Sequence, residues 1–303
     1  MMRHRYLTVD VFTDRRFGGN QLAVFPDARE IPDALMQPIA REFNYSETTF
    51  VLPPTDSRHT RRVRIFTPAS ELPFAGHPTI GTAHVLAAVG AVPLDGDEQR
   101  ITLEEGVGPV PVTIRLEGGK PVFATLTAAK VPERGATPPA APRLAEMLGL
   151  APSDLADDLP PESHSVGLPF LYVPLRNRDA VRRATIDTAR MAEALAGYSA
   201  RGVFLFARDP ERPGSDIRAR MFAPFDGIPE DPATGSAVAA LAGCLAPRHP
   251  QQDGTVRWVI EQGFEMGRPS ILHLEVEKRG GRIETVRVGG RSVIVCDGVM
   301  EIS

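Results

Sequence analysis

The sequence has few of the features that mark disulfide-rich, nucleic-acid-binding or membrane-spanning proteins. Cysteine occurs only at Cys244 and Cys296, so we expect reduced thiols, as in cytoplasmic proteins, and neither a disulfide framework nor a thiolate metal cluster. The formal net charge is −4, and lysine and arginine form no dense run. A positive field that would attract nucleic acid is therefore not expected.

Long apolar runs are also missing. The longest, near Val85–Val92 and Ala237–Ala246, are well short of the roughly 20 residues that cross a bilayer. The basic N-terminus continues into residues 6–12, which include Thr8 and Asp10 and read as a first strand rather than a secretory signal. We therefore expect a cytoplasmic protein with no membrane partner.

An internal repeat is the most informative feature that the sequence does contain. Residues 64–68 correspond to residues 220–224 at an offset of 220 − 64 = 156. Farther along, residues 77–83 correspond to residues 231–237 at an offset of 231 − 77 = 154. In each copy a strand leads through a proline-containing loop into an alanine-rich helix, with the proline expected at the first helical position.

The repeat predicts two similar α/β domains in this chain of 303 residues, namely 1–128 and 129–303, with the last strand a candidate to return to the first domain. Seven prolines fall within residues 131–165, so this stretch reads as linker or surface loop with a short helix at Pro142–Leu150. Arg29–Phe43 reads as a helix, although Pro38 forfeits a backbone hydrogen bond there. The predicted strands include Tyr6–Phe12, Thr48–Leu52, Val110–Leu116, Leu168–Pro174, Gly202–Phe206, Arg257–Gln262, Ile271–Val276 and Val293–Val295.

The two repeated helix starts, at His77-Pro78 and Asp231-Pro232, predict a binding site for an anion. The first amides of a helix lack intrahelical partners and carry partial positive charge, so a substrate carboxylate can bind there without a lysine or arginine. We expect the two starts to face each other across an interdomain cleft. Glycines and hydroxyls near them suit close approach of a ligand: Gly76, Gly81, Gly235, Thr79, Thr82, Thr234 and Ser236.

Three ionisable residues are candidates for proton transfer. A positive helix end disfavours a charged imidazole, so His77 is expected to be neutral and able to accept a proton near pH 7. Glu47 stands between Ser46 and Thr48, before an apolar run, where partial burial would suit acid/base work; an exposed turn glutamate is the alternative. Asp231 is either a site residue or an N-cap of the second helix.

At these residues the sequence resembles the PhzF-like family of phenazine-biosynthesis isomerases. Five segments in the family's order carry the resemblance: Phe17–Val24, Asn44–Phe50, Phe74–Thr79, Glu230–Ala237 and Val288–Arg291. The resemblance implies the fold of diaminopimelate epimerase, with two pseudo-symmetric α/β domains that each wrap a strongly curved sheet around a central helix. It also implies a homodimer that uses no metal, flavin or nicotinamide.

The resemblance further implies a role for each matching residue. Glu47 matches the catalytic acid/base that moves a proton between two ring carbons of a dihydro-hydroxyanthranilate-like substrate. His77 and Asp231 match the polar partners that orient the substrate and assist proton movement. The positions that match pocket-lining or carboxylate-holding residues are Asn20, Gly76, Gly235 and Ser236, and we add Ser46, Thr82 and Thr234 as candidate substrate contacts.

Two alternatives of different classes remain open at this level. An amino-acid racemase or epimerase of the same fold would use two thiols, but Cys244 lies 13 residues after Asp231 (244 − 231) and Cys296 has no counterpart in the first half. A non-catalytic small-molecule-binding homologue would keep the cleft without the chemistry. A metal site is not expected, because His77 and His84 have no third ligand at a recognisable spacing.

Overall fold

Two of the helices in the described part of the chain contain no Asp, Glu, Lys or Arg, and both are buried on nearly all sides. They are α2 (Gly76–Ala88) and α6 (Gly235–Leu245). A helix without a polar face is stable only inside a core. The computed structural model describes residues 2–200 and 202–302. Within them the chain divides into two units: residues up to Thr127 with those from Gly289 onward, and Ala128–Val288.

The first unit wraps its strands around α2. These strands are β1 (Met2–Val11), β2 (Asn20–Phe25), β3 (Glu47–Leu52), β4 (Arg61–Phe66), β5 (Glu71–Leu72), β6 (Glu98–Glu105), β7 (Gly108–Glu117), β8 (Lys120–Thr127) and β18 (Ser292–Ile302), with α1 (Asp33–Phe43) between β2 and β3. Helix α2 contacts β1, β2, β3, β7, β8 and β18. The central position of α2 is therefore set by its apolar surface.

The second unit repeats this plan around α6. It contains β9 (Glu133–Arg134), α3 (Ala141–Met147), β10 (Glu162–Ser165), β11 (Pro169–Pro174), α4 (Arg178–Arg183), α5 (Thr188–Ala194), β12 (Gly202–Ala207), β13 (Ile217–Ala223), β14 (Ile228–Asp231), β15 (Gly254–Gln262), β16 (Ser270–Arg279) and most of β17 (Arg282–Gly290). Helix α6 packs against β9, β10, β11 and β16.

The strand pairings show the repeat directly. In the first unit β2 and β3 are parallel, β3 and β4 are antiparallel, and β4 and β6 are parallel. In the second unit β11 and β12, β12 and β13, and β13 and β15 pair in the same three ways. The alignment found in the sequence at 64–68 and 220–224 therefore belongs to equivalent strands, β4 and β13.

Several predicted boundaries differ from the observed ones. The second central helix begins at Gly235 rather than Pro232, because the chain stays extended through Asp231 at the end of β14. The first begins at Gly76, so Pro78 is its third residue. The helix predicted at 29–43 is α1, which begins at Asp33 and keeps Pro38 inside it. In the stretch 131–165, expected to be mostly loop, the predicted short helix is present as α3, and the short strands β9 and β10 were not expected.

Eight strands were not anticipated: β2, β5, β6, β8, β9, β10, β14 and β17. Two of them, β5 and β9, are only two residues long, too short for an alternating pattern to be recognised. No helix among residues 2–200 and 202–302 is long and apolar enough to span a bilayer.

Candidate active site

Glu47 is placed by the end of α1. Asn44 adopts the left-handed conformation with φ 52°, which asparagine tolerates well, and its N–H donates to the Ala40 carbonyl to close the helix. The chain then enters β3 at Glu47, which pairs with Leu22 of the parallel strand β2. Glu47 is only 6% exposed, so the alternative of an exposed turn glutamate is wrong.

His77 is the second residue of α2 and lies beside Glu47. Its Nε2 atom is 3.1 Å from Oε2 of Glu47, and its Nδ1 atom is 3.3 Å from the side-chain nitrogen of Asn20, the first residue of β2. The three side chains are buried. Residues that are 57 positions apart in the chain (77 − 20) thus meet at one end of the central helix.

The imidazole of His77 is neutral at physiological pH. Burial lowers the pKa of His77 from 6.5 to about 3, although a hydrogen bond with the backbone of Gln21 acts in the opposite direction. Desolvation penalises the charged ring more than this hydrogen bond favours it. The neutral state predicted from the helix end therefore holds, but burial is its main cause.

Both groups suit general acid/base work on a substrate, which requires hydrogen-bond reach from the catalytic group to the transferred proton. Oε2 of Glu47 and Nε2 of His77 are 3.1 Å apart, but these two atoms do not meet hydrogen-bond geometry with each other. Asn20 gives the second ring nitrogen a polar neighbour, which helps to fix the orientation of the ring. The arrangement suits movement of a proton.

Asp231 belongs to the second unit, where it is the last residue of β14 and lies opposite Met221 of β13. Its Oδ2 atom accepts a hydrogen bond of 2.5 Å from Oγ1 of Thr234, and the residue is 6% exposed. Thr234, rather than Asp231, occupies the N-cap position of α6. The N-cap interpretation of Asp231 is therefore wrong: it is a buried carboxylate held by the turn.

Gln262, at the end of β15, organises this turn and was missed by the sequence analysis. Its side-chain nitrogen donates to the Asp231 carbonyl at 2.8 Å and to Thr234 Oγ1 at 3.0 Å. Its side-chain oxygen accepts from the Thr234 amide at 3.1 Å. Gln262 is fully buried, and a primary amide can make these three bonds because it offers both donors and an acceptor.

The remaining candidate residues are distributed as follows. Gly76 and Gly235 are the first residues of α2 and α6, and Ser236 follows Gly235. Ser46 is half-buried in the turn before Glu47. Thr82 lies farther along α2, where its hydroxyl is 2.8 Å from that of Thr49. The structure thus groups Asn20, Glu47 and His77 in one unit and Asp231, Thr234 and Gln262 in the other, while Thr82 belongs to a buried pair of threonines.

One cluster in the second unit has the residue types of a metal site. Ligand atoms of Glu162, His164 and Cys244 lie within 4.8 Å of one another. However, both oxygens of Glu162 accept from the Arg248 guanidinium, at 2.8 and 3.2 Å, and burial raises the pKa of the Cys244 thiol. A cation would compete with an arginine and need a thiolate that burial disfavours, so the cluster fits an ion-paired carboxylate better.

The sequence is similar to those of known isomerases. The sequence model of the phenazine biosynthesis-like protein family, PhzC-PhzF, matches residues 9–298. An uncharacterized isomerase of Mesorhizobium japonicum is 38% identical over 310 residues, and 100% of each chain is covered. The trans-2,3-dihydro-3-hydroxyanthranilate isomerase of Pseudomonas aeruginosa is 37% identical over 295 residues, which cover 97% of this chain and 98% of that one.

The fold is also found among solved structures. The crystal structure of a Bacillus anthracis phenazine biosynthesis protein of the PhzF family superposes with a TM-score of 0.88 at 24% identity, covering 100% of both chains. The predicted mixed α/β fold of the diaminopimelate epimerase type is therefore confirmed. The chain belongs to the phenazine biosynthesis-like family, PhzC-PhzF, and is an isomerase.

Proposed function

We propose that this isomerase moves a proton between two carbons of a small cyclic carboxylate related to trans-2,3-dihydro-3-hydroxyanthranilate, with Glu47 as the acid/base. The observation that carries the proposal is the buried pair of Glu47 and His77, whose nearest atoms are 3.1 Å apart. The relatives that are named for this reaction, which include the Pseudomonas aeruginosa enzyme at 37% identity, support the choice of substrate.

In the proposed reaction Glu47 removes a proton from one ring carbon and returns it to another, while the double bonds of the ring shift. No atom is gained or lost, so the reaction needs no oxidant or reductant. The neutral His77 ring adds no positive charge that would hold the carboxylate ionised. Glu47 can therefore act first as base and then as acid, with His77 as its polar partner.

The start of α2 supports binding of the substrate carboxylate. The amides of Gly76 and His77 are in the first turn of a helix of 13 residues, where backbone N–H groups have no intrahelical acceptor and carry partial positive charge. The start of α6 at Gly235 offers the same chemistry in the second unit. We propose that Asp231 and Thr234 contribute polar groups there, and that the enzyme acts as a cytoplasmic homodimer.

Proton exchange with solvent tests this proposal directly. Wild type and Glu47→Gln would be incubated with trans-2,3-dihydro-3-hydroxyanthranilate in heavy water and followed by proton NMR. We expect isomerisation with deuterium uptake in the wild type, and a loss of roughly 10²–10⁴-fold in the variant. Glu42→Gln, an exposed glutamate on α1, is the matched control and should behave as wild type.

Near-native turnover by Glu47→Gln would remove Glu47 from the mechanism. No reaction with the wild type would reject this substrate, and saturable binding without exchange would favour a non-catalytic homologue. The two-thiol alternative is tested by Cys244→Ser and Cys296→Ser. Cys244 is buried with a raised pKa, whereas Cys296 is exposed on β18, so both variants should retain activity.

A further inference from the structure

We propose that Glu105 and Gln262 are equivalent positioning residues, one in each unit, and that Glu105 acts in its protonated form to hold the turn that carries His77. The role in catalysis rests on the function proposed above. The geometry of the two residues, however, is a property of the fold and can be tested without a substrate.

The two residues occupy the same place in the repeated sheet. In the first unit Arg62 of β4 pairs with Glu104 of the parallel strand β6. In the second unit Arg218 of β13 pairs with Glu261 of the parallel strand β15. Glu105 and Gln262 are the next residues and the last of their strands, and their numbers differ by 262 − 105 = 157.

Each of them reaches the turn at the start of its central helix. Gln262 bonds the backbone of Asp231 and both the amide and the hydroxyl of Thr234. Glu105 bonds the hydroxyl of Thr79, at 2.6 Å, in the first turn of α2. The same strand position therefore holds the helix start in both units.

The contacts of Thr79 bear on which group supplies the proton. Its hydroxyl oxygen lies 2.8 Å from the Ala75 carbonyl and 2.6 Å from Oε1 of Glu105, but it has a single hydrogen and can donate to only one of them. In our proposal that hydrogen goes to the Ala75 carbonyl, so the contact with Glu105 takes its proton from the carboxyl group. A protonated carboxyl has nearly the shape of a primary amide, so Glu105 in this state does for Thr79 what the Gln262 amide does for Thr234.

The environment of Glu105 agrees with this proton count. Burial raises the pKa of Glu105 to about 8. Its second oxygen, Oε2, is buried without a hydrogen-bond partner, a situation that an ionised carboxylate would not tolerate. On α2, the neutral His77 lies two residues before Thr79.

The other ionisable groups around Glu105 line a cleft of about 840 Å³ formed by β4, β5, β6 and the loop before β4. Most of them are already paired: Arg64 contacts Glu71, and Glu104 accepts hydrogen bonds from His59 and from residues 55 and 56. These hydrogen bonds lower the pKa of Glu104 to about 2. The groups of the cleft are Asp56, His59, Arg62, Arg64, Glu71 and Glu104.

The glycine that follows each residue explains the close approach to the helix start. A Cβ atom on Gly106 would lie 2.7 Å from Cα of Pro73, in the loop that enters α2. A Cβ atom on Gly263 would lie 2.5 Å from the carbonyl oxygen of Pro232, in the loop that enters α6. Both strand ends thus pack directly against the turn that they hold.

Ionisation of Glu105 should loosen the first unit's turn. The ionised Glu105 carboxylate would compete with the Ala75 carbonyl for the single hydroxyl hydrogen of Thr79. The Thr79 hydroxyl would then keep only one of its two hydrogen bonds in the first turn of α2. His77, two residues earlier, would then be less well placed beside Glu47. Small displacements of catalytic groups can cost roughly 10²-fold in rate.

The test compares pH profiles of Glu105→Gln and Glu105→Leu with wild type and with the exposed control Glu42→Gln. We expect wild-type kcat to fall above about pH 8, and Glu105→Gln to stay within about threefold of wild type at pH 7 without this fall. Glu105→Leu should lose roughly 10- to 100-fold in kcat at all pH values. Gln262→Glu should acquire a new loss at alkaline pH.

Thermal unfolding provides a readout that needs no substrate. Because the pKa of Glu105 is raised from 4.5 to about 8, the native state binds the proton more tightly than the unfolded chain. Wild-type stability should therefore decrease relative to Glu105→Gln as the pH rises from about 5 to 8, and the difference should level off above that range. A constant difference in Tm, or an unchanged alkaline limb in Glu105→Gln, would overturn the proposal. Inactivity of the wild type together with every variant would count against the proposed function only.

Discussion

Glu47 and His77 are buried side by side at the start of the central helix of the first unit, with Oε2 and Nε2 3.1 Å apart. The local sequence around either residue does not by itself determine where its side chain lies. Glu47 is fixed by the left-handed turn at Asn44 and by pairing with β2, and His77 by the first turn of α2. The pair exists because β3 and α2 pack against each other.

The neutral state of His77 predicts how the free energy of unfolding changes as the pH falls below 6.5. Its pKa is lowered from 6.5 to about 3 by burial, so the unfolded chain binds a proton that the native state does not. This contribution to stability is complete above pH 6.5 and is lost as the pH falls toward 3. In His77→Gln, urea unfolding should show a smaller loss between pH 6.5 and 4 than in wild type. His84→Gln is the comparison, since burial also lowers its pKa, to about 4.

This prediction would be contradicted if His77 titrated in the native protein near the usual histidine pKa. The Cε1 proton of His77, followed by NMR, should therefore not shift between pH 5 and 8. A midpoint near pH 6.5 assigned to His77 would show that the ring is hydrated.

Thr82 should affect stability rather than substrate binding. Its hydroxyl is 2.8 Å from that of Thr49, and both residues are fully buried. Thr82→Val should therefore cost about 1–2 kcal/mol of unfolding free energy, because the Thr49 hydroxyl keeps only its 3.5 Å contact with the Ala23 carbonyl, and the double variant Thr49→Val/Thr82→Val should cost less than the sum. KM should not change. A large rise in KM with unchanged stability would restore Thr82 to the substrate-binding set.

The contribution of Thr234 to stability and turnover should come from its hydroxyl and not from the shape of its side chain. The hydroxyl donates to Asp231 and accepts from Gln262. Thr234→Ser keeps both bonds and should remain close to wild type in stability and turnover. Thr234→Val keeps the volume and should lose about 1–3 kcal/mol in urea unfolding, together with part of the activity. Equal stability of the two variants would mean that the hydroxyl bonds are not needed to hold the turn.

The Glu162 cluster should behave as an ion pair with one buried partner. Arg248→Met removes the bidentate partner of the Glu162 carboxylate, and should cost about 1–3 kcal/mol, because the Arg248 side chain is 35% exposed and Glu162 keeps its contacts with Arg134 and His164. Arg182→Met breaks an exposed pair with Asp179 and should leave stability nearly unchanged. Zinc ions should not raise the Tm of the wild type. A zinc-dependent rise that is lost in Cys244→Ser would instead establish a metal site.

The sequence by itself determined the plan of this protein. Two uncharged helical segments can be stable only when buried, so the repeat around residues 76–88 and 235–245 already required two cores. The ordered motifs identified the family, and they drew attention to Glu47, His77 and Asp231. These features are local or periodic, and local propensity and pattern can be read without a structure.

The tertiary structure decided which residues meet. Glu105 and Thr79 are 26 residues apart and Gln262 and Asp231 are 31 apart, and only the pairing register of β6 and β15 brings each strand end to its helix start. The same holds for the beginning of α6: pairing of β14 with β13 keeps Asp231 extended and delays the helix to Gly235. Burial, which raises the pKa of Glu105 and lowers that of His77, is likewise a property of the packed chain, because desolvation depends on all the neighbours of a group and not on the residues beside it in sequence.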